Sequence, residues 1–289
     1  MAYQQEISRE FKGLFIFLLD QSMSMEEPLA GGERKCDELA TAVNAWLQNM
    51  VIACSKAEGF KDWFDIVILG YGTDEDAVPV IRPALVGALE GREMVSMTDI
   101  ANSPARMEQV TVMMPDEETG ELLTMEQQRP VWVESRVAGG TPICSAIVKA
   151  CEIIDRWTAE HGNSYPPIVI NITDGESTEA DPIPYAETLK ERCTNDGNVL
   201  FFNLHLSSTP ADSFMFRGNA ELMPDQFARQ LFEMSSPLPE KMVKIAQARG
   251  MEIEPNARGM AYNASMVDLI KFLDMGTRVD GAPPPKTLR

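Results

Sequence analysis

The sequence predicts an α/β protein with a doubly wound, mostly parallel sheet that is covered by helices on both faces. Short, mainly apolar runs are typical of strands buried on both faces, and they occur at residues 14–19, 64–69, 168–173 and 199–206. Between them lie segments whose apolar residues recur every three to four positions, as they do on one face of a helix. Strands that alternate with helices favour a mostly parallel sheet between two helical layers.

The first half of the chain supplies two strands and one long helix. Residues 14–19 form an uninterrupted apolar run, whereas residues 26–35 contain Pro and Gly and predict a loop. One apolar helical face follows, made of Leu39, Val43, Trp46, Met50 and Cys54. We expect this helix to end at Gly59, before the second strand at residues 64–69.

The second half continues the alternation. Thr141 and Pro142 predict a helix start, because Thr caps helices and Pro is favoured in the first turn. We expect this helix to end near Gly162. The remaining predicted elements are a strand at 168–173, a helix at 185–193, a strand at 199–206, two helical pieces within 224–249, a short strand at 259–262 and a last helix after Ser265.

Residues 73–130 interrupt the alternation and predict an acidic insertion. Between residues 73 and 129 the chain has 12 acidic and 4 basic residues, and residues 85–101 show no clean helical period. Residues 109–114 and 121–125 flank a turn and predict a hairpin. The insertion is either a solvated decoration or a surface that helps to select a partner.

Residues 1–278 are predicted to form one domain, which includes this insertion. Residues 131–137 predict a strand at the sheet edge, since Pro130 opens it and proline is confined to edges. Residues 279–289 are rich in proline and predict a disordered tail, with a proline-rich docking ligand as the alternative.

The acidic composition excludes two classes of partner. The chain has 25 Lys and Arg against 44 Asp and Glu, a formal charge of −19, and its 44% of hydrophobic residues can bury a sizeable core. Such a charge repels phosphate backbones and anionic lipid heads, so we expect neither nucleic acid nor membrane as a partner. Mg²⁺ or a basic partner would be attracted.

The cysteines and the amino terminus predict a cytoplasmic protein. The five cysteines include no C-x-x-C pair, so neither a disulfide framework nor a zinc site is indicated, and we interpret them as core thiols in a reducing compartment. Residues 1–10 lack the pattern of a signal peptide. No apolar run approaches the ~20 residues that a membrane span needs.

Polar residues stand at three places where predicted elements end or begin. Asp20, Ser22 and Ser24 follow the first strand, Asp174 follows the strand at 168–173, and Thr141 precedes a helix. In open α/β sheets, ligands bind beyond the carboxyl ends of the strands, where the strand order reverses. Carboxylates and hydroxyls are hard oxygen ligands of the kind that Mg²⁺ prefers. These side chains would converge if the strands before Asp20 and Asp174 are neighbours.

The three segments together resemble the von Willebrand factor A family and its metal-ion-dependent adhesion site. The matching motifs are D-x-S-x-S at residues 20–24, G-G-T-P at 139–142 and T-D-G at 173–175, and the resemblance extends from about Phe11 to about Arg278. It implies a six-stranded sheet with one antiparallel edge strand. It also implies that Mg²⁺, with Mn²⁺ or Ca²⁺ as alternatives, is held by Asp20, Ser22, Ser24, Thr141 and Asp174.

One residue of the first motif departs from the family pattern. Met23 stands where many members carry Gly, although this middle position is not a ligand. Met23 and Met25 are either flexible apolar contacts for a partner or packing residues. The whole chain is similar to stand-alone bacterial members of the family, including those of tellurium-resistance type.

The chemistry of this residue set favours binding over catalysis. Hydroxyl ligands add no negative charge to a metal, so a metal held by them keeps an affinity for a further carboxylate. The resemblance implies that a protein partner supplies this Glu or Asp. We therefore predict a Mg²⁺-dependent protein–protein interaction module. By analogy with the family it is an adaptor in a bacterial signalling or stress-response complex, beside an ATPase, kinase or phosphatase.

Two other function classes stay open at this point. An Asp after a first buried strand is also typical of haloacid-dehalogenase-like phosphotransferases, but their D-x-D motif needs an acid where Ser22 stands. The phosphate-binding loop, nucleophile elbow and dinucleotide fingerprint motifs are missing as well, so we predict no enzymatic activity. The third class is a structural subunit with an empty site, in which Asp20 and Asp174 cap loops, Ser22 and Ser24 form turns, and Thr141 is only a helix cap.

Overall fold

The computed structural model describes residues 2–29, 31–56, 59–115, 122–206, 213–248 and 250–263. The strands in these ranges are β1 (Gly13–Asp20), β2 (Ser55–Lys56), β3 (Gly59–Phe60), β4 (Phe64–Thr73), β5 (Pro79–Pro83), β6 (Val95–Ser96), β7 (Arg106–Pro115), β8 (Leu122–Val131), β9 (Ile168–Thr173), β10 (Cys193–Thr194), β11 (Gly197–Asn198), β12 (Leu200–His205), β13 (Phe214–Met215) and β14 (Met260–Tyr262). The α-helices are α1 (Lys35–Cys54), α2 (Met97–Asn102), α3 (Ile143–Glu160), α4 (Ile183–Lys190), α5 (Gln226–Met234) and α6 (Glu240–Ala248).

The main sheet confirms the predicted α/β class. Its parallel strands follow the order β14-β12-β9-β1-β4, and β5 pairs with β4 in the antiparallel direction at one edge. Two strands of two residues each add to these six, since β13 pairs with β14 and β6 pairs with β4. The expected count of six strands is therefore too low by these two short strands.

Helices cover both faces of this sheet, as the apolar runs predicted. Every residue of β1 is buried, which explains why its sequence does not alternate between apolar and polar residues. Phe15, Phe17 and Leu19 pack with residues of α1, α2 and α6. Leu14, Ile16 and Leu18 pack with residues of α3, α4 and α5 on the opposite face.

The predicted edge strand at residues 131–137 is wrong. Val131 ends β8, and beyond it the described residues show one isolated bridge, between Val133 and Leu85. The backbone N–H groups of Trp132 and Val133 instead donate to Oδ1 of Asn44 on α1, at 2.9 and 3.0 Å. A side-chain amide thus replaces a neighbouring strand for this segment. The antiparallel edge strands are β5, beside β4, and the two-residue β13, beside β14.

Part of the predicted acidic insertion belongs to the main sheet. Both β5 and β6 lie within it and pair with β4. Helix α2, which the sequence did not predict, begins with a capping box in which Ser96 and Asp99 exchange hydrogen bonds. The predicted hairpin is confirmed as the antiparallel pair β7 and β8, with strands of ten residues each.

Several smaller predictions have mixed outcomes. Helix α4 ends at Lys190, earlier than expected, because β10 and β11 form a tight antiparallel pair after it. All five cysteines are free thiols, and four are buried, but Cys193 is exposed and is no core thiol. The predicted helix after Ser265 and the tail lie outside the described residues. None of the helices in the described ranges combines the length and apolarity that a membrane crossing requires.

Candidate metal centre

The carboxyl ends of β1 and β9 form the base of the candidate site. These strands are parallel neighbours, and their register places Leu19 opposite Ile172. From β1 the chain continues through α1 to β4 on one side, whereas α3 leads to β9 on the other side. Asp20 and Asp174 therefore stand side by side at the point where the strand order reverses, which is where α/β sheets bind ligands.

Asp20 is buried and held by hydrogen bonds to both carboxylate oxygens. Its side chain accepts a 2.8 Å bond from the backbone N–H of Ser22 and a 2.6 Å bond from the hydroxyl of Thr173. Only 1% of its surface is exposed. Burial raises the pKa of Asp20 to about 6, a rise that these hydrogen bonds oppose and the charge of Asp174 reinforces.

The two serine hydroxyls connect the first motif to Asp174. Oγ of Ser22 lies 3.0 Å from Oγ of Ser24, and the Ser24 hydroxyl donates a 2.7 Å bond to Oδ1 of Asp174. Ser22 is buried and Ser24 is half-buried. Three of the predicted ligands thus form one hydrogen-bonded group across 150 residues of sequence.

The loop before Thr141 is fastened to the first motif. The N–H of Ala138 donates to the carbonyl of Gln21 at 2.5 Å, and the N–H of Met23 donates to the carbonyl of Gly139 at 2.8 Å. Gly139 has a φ of +61°, and a side chain there would collide with Thr73. The first glycine of the G-G-T-P motif is thus required by backbone geometry and by the close approach of β4.

Thr141 reaches the same site but does not cap the helix. Pro142 occupies the cap position of α3 and makes no side-chain cap bond, so the predicted capping role of Thr141 is wrong. A Cβ atom placed on Gly175 would lie 3.7 Å from Oγ of Ser24 and 4.0 Å from Oγ1 of Thr141, so all three segments meet here. The Thr141 hydroxyl has no hydrogen-bond partner among the described residues, although Thr141 is only 5% exposed.

Lys35, the first residue of α1, is a member of the site that the sequence did not reveal. Its ammonium lies 2.7 Å from Oδ2 of Asp174 and 2.9 Å from Oε2 of Glu27. Burial lowers the pKa of the Lys35 ammonium, but the bonds to Asp174 and Glu27 outweigh burial and leave the pKa above its usual value. The sequence offers one weak indication that Lys35 has a special role. A cation in the first turn of a helix opposes the helix dipole, so lysine is unfavourable there.

The donor set fits a small hard cation. It combines three hydroxyls with two carboxylates, and within the described part of the chain the Thr141 hydroxyl is not engaged in a hydrogen bond. No group of three or more His, Cys, Asp or Glu residues suited to a metal exists among the described residues, as expected where hydroxyls supply most of the oxygens. Hydroxyl and carboxylate oxygens suit Mg²⁺ better than the softer metals that thiolate or imidazole ligands select.

The two methionines of the first motif have different environments. Met25 is completely buried and packs in the core on the α1 face. Met23 is 58% exposed beside the site, so it is free to contact a partner. Glu176 is also exposed at the rim, as expected for a solvated charge.

Comparison with known proteins gives structural neighbours alone. Neither a protein-family model nor a curated protein matches the chain. Similar solved structures include the ArnB paralog VWA2 from Sulfolobus acidocaldarius (15% identity, 70% of this chain, 36% of that chain, TM-score 0.33). They also include the pilus adhesin SpaC from Lactobacillus rhamnosus GG (12% identity, 70% and 25%, TM-score 0.40). The adhesive tip pilin GBS104 from Group B Streptococcus agalactiae is a third (10% identity, 90% and 47%, TM-score 0.32).

This chain spans less than half the length of each of these neighbours. The strand order and connections of this chain itself define its α/β fold.

Proposed function

We propose that this chain is a Mg²⁺-dependent protein interaction module that binds an acidic residue of a partner. The observation that carries the proposal is the convergence of five side chains at the carboxyl ends of β1 and β9. They are Asp20, Ser22, Ser24, Thr141 and Asp174. Ser24 and Asp174 are bonded at 2.7 Å, and the Thr141 hydroxyl lies beside them.

The protein residues have distinct roles in this proposal. Ser22, Ser24 and Thr141 offer neutral hydroxyl oxygens, while Asp20 and Asp174 offer the negative charge. Mg²⁺, when bound, would supply a positive charge with a coordination position that a carboxylate of the partner can fill. The bonds from Thr173 and the Ser22 N–H fix the orientation of the Asp20 carboxylate before any ligand arrives.

An enzymatic role is the second candidate, and the surroundings of Asp20 argue against it. A carboxylate nucleophile needs access to its substrate, but Asp20 is 1% exposed and both of its oxygens accept hydrogen bonds. Ser22, two residues later, cannot act as the acid of a D-x-D motif. We therefore propose no catalysis, and Mg²⁺-dependent hydrolysis of an aryl phosphate by the purified chain would overturn this part.

The class of partner follows from charge and from the resemblance to the von Willebrand factor A family. A formal charge of −19 disfavours nucleic acid and anionic membranes, so the proposed partner is a protein. The resemblance favours an adaptor in the bacterial cytoplasm that works beside an ATPase, kinase or phosphatase in signalling or stress response. A structural subunit with an empty site is the remaining alternative.

Capture of partners by the immobilised chain tests the proposal. Wild type, Asp20→Ala and the rim control Glu176→Ala are each exposed to bacterial extract in Mg²⁺ and in chelator. Proteins retained by wild type and by Glu176→Ala in Mg²⁺ should be released by chelator, and Asp20→Ala should not retain them. Equal retention in chelator, or by Asp20→Ala while it stays folded, would favour the structural alternative.

A further inference from the structure

A buried cation already sits on the second carboxylate of the candidate metal centre. The Lys35 side chain is 4% exposed and the Asp174 side chain is 0% exposed, and their charged atoms are 2.7 Å apart. Such burial limits solvent screening, so this pair interacts more strongly than a surface ion pair. Few lysines are buried this far without a function or a firm set of partners.

Lys35 is held at this place by its backbone as well as its ammonium. Its N–H donates to the carbonyl of Glu27 at 3.1 Å, and its ammonium reaches a carboxylate oxygen of the same residue at 2.9 Å. As the first residue of α1, Lys35 is also fixed by the packing of that helix. The Lys35 backbone is therefore fixed beside Asp174, and its ammonium has two carboxylates within reach.

We propose that Lys35 sets the divalent-cation affinity of this site, because its fixed positive charge competes with the metal for Asp174. The inference rests on the proposed function and deepens it. Asp20 and Asp174 contribute two negative charges, and the Lys35 ammonium, shared between Asp174 at 2.7 Å and Glu27 at 2.9 Å, occupies the Oδ2 atom of Asp174 that a metal would otherwise attract. The site therefore holds a divalent cation more weakly than its five oxygen-bearing residues would alone, and the bound metal keeps more positive charge for a carboxylate of the partner.

The consequence is a centre in which the partner completes the coordination of the metal. Because Asp174 is partly engaged by Lys35, a divalent cation at this site keeps positive charge that its nearest ligands do not neutralise. An acidic residue of the partner supplies the missing negative charge, so metal and partner are expected to bind cooperatively. The affinity of the chain alone for Mg²⁺ is then low because of Lys35 and not because a ligand is missing.

Calorimetric titration with Mn²⁺ and with Mg²⁺ tests the role of Lys35. The variants are Lys35→Gln, which keeps a hydrogen-bond donor without the charge, Lys35→Met, which has a similar length, and Lys35→Arg, which keeps the charge. Lys149→Gln is the control, since Lys149 pairs with Glu93 at 2.7 Å and with Glu152 at 3.4 Å, neither of which is a candidate ligand. Circular dichroism establishes that each variant is folded.

The neutral variants should bind the metal about tenfold more tightly or better, as expected when a like charge is removed beside a buried site. Lys35→Arg and Lys149→Gln should stay close to wild type. Equal or weaker metal binding by folded Lys35→Gln overturns the inference and leaves the proposed function in place. If no protein binds metal, including the neutral variants, the proposed function fails as well. If neither neutral variant folds, Lys35 has a structural role only, and the inference is overturned.

Discussion

The candidate metal centre and the β7–β8 ribbon are built from opposite kinds of contacts. The centre gathers polar side chains that are far apart in the chain, such as Ser24 and Asp174, which are 150 residues apart, and it buries most of them. Within the described ranges, the two strands of the ribbon pair only with each other, and side chains such as Met107, Gln127 and Gln128 are exposed.

The difference shows that the fold fixes the positions of side chains in the metal centre more firmly than in the ribbon. Isolated two-stranded ribbons are marginally stable in water, so the ribbon depends on its attachment to the domain. The centre instead lies on the most buried strands of the sheet, and backbone bonds fasten its loops to one another. A function that needs five residues in fixed positions is better placed on that scaffold than on the ribbon.

Breaking the attachment of the ribbon should have the largest effect. Asn44 accepts bonds from the N–H groups of Trp132 and Val133 and donates a 2.8 Å bond to the carbonyl of Val133. Asn44→Ala leaves these buried groups unpaired, at a cost in unfolding free energy of about 3 kcal/mol or more. Urea unfolding of wild type and variant measures this difference in unfolding free energy.

Asn44→Asp keeps the acceptor oxygens but buries a negative charge against the carbonyl of Val133, so it should not recover the loss at neutral pH. A small effect of Asn44→Ala would mean that the ribbon base is held by packing and not by this amide.

A substitution in the centre should separate metal binding from folding. Thr141→Val replaces a hydroxyl that has no described hydrogen-bond partner with a methyl group of similar size. Without metal, the unfolding free energy should change by less than ~1 kcal/mol. Wild type should gain about 2.7 kcal/mol at a hundredfold excess of Mg²⁺ over its Kd, and the variant should lose most of this gain.

Thermal unfolding in chelator and in Mg²⁺ measures both quantities. Asp174→Ala should likewise lose the gain. The role of Thr141 as a ligand is contradicted if Thr141→Val is stabilised by Mg²⁺ as much as wild type.

The smallest effect is expected on the exposed face of the ribbon. Met107 is 50% exposed, so Met107→Ser should change the unfolding free energy by no more than ~0.5 kcal/mol. The stabilisation by Mg²⁺ should stay the same, because the ribbon contributes no predicted ligand. If the substitution changed the metal response, the ribbon and the centre would be coupled, and the contrast between them would have to be abandoned.

The sequence determined the α/β class and brought the five candidate ligands to attention. Strands buried on both faces consist mainly of apolar residues, and β1, β9 and β12 therefore stand out in the chain, although β9 and β12 also bury Asn171 and Asn203, which bond to each other at 3.1 Å. The ligands belong to short motifs that directly follow these runs or precede a helix. The apolar runs and the ligand motifs each span only a few residues, so the local sequence pattern is sufficient to predict them.

Only the tertiary structure decided which distant residues complete these elements. Residues 131–137 have the composition of a strand, but Asn44, about 90 positions earlier in the chain, takes their backbone bonds and leaves the edge to β5. The sequence predicts a loop at Lys35, whereas the structure places this residue at the start of α1 with its ammonium 2.7 Å from Asp174, 139 residues away. Both outcomes depend on a single side chain that arrives from another element. Periodicity and propensity carry no information about such a contact, because its partner is fixed only when the sheet and helices have packed.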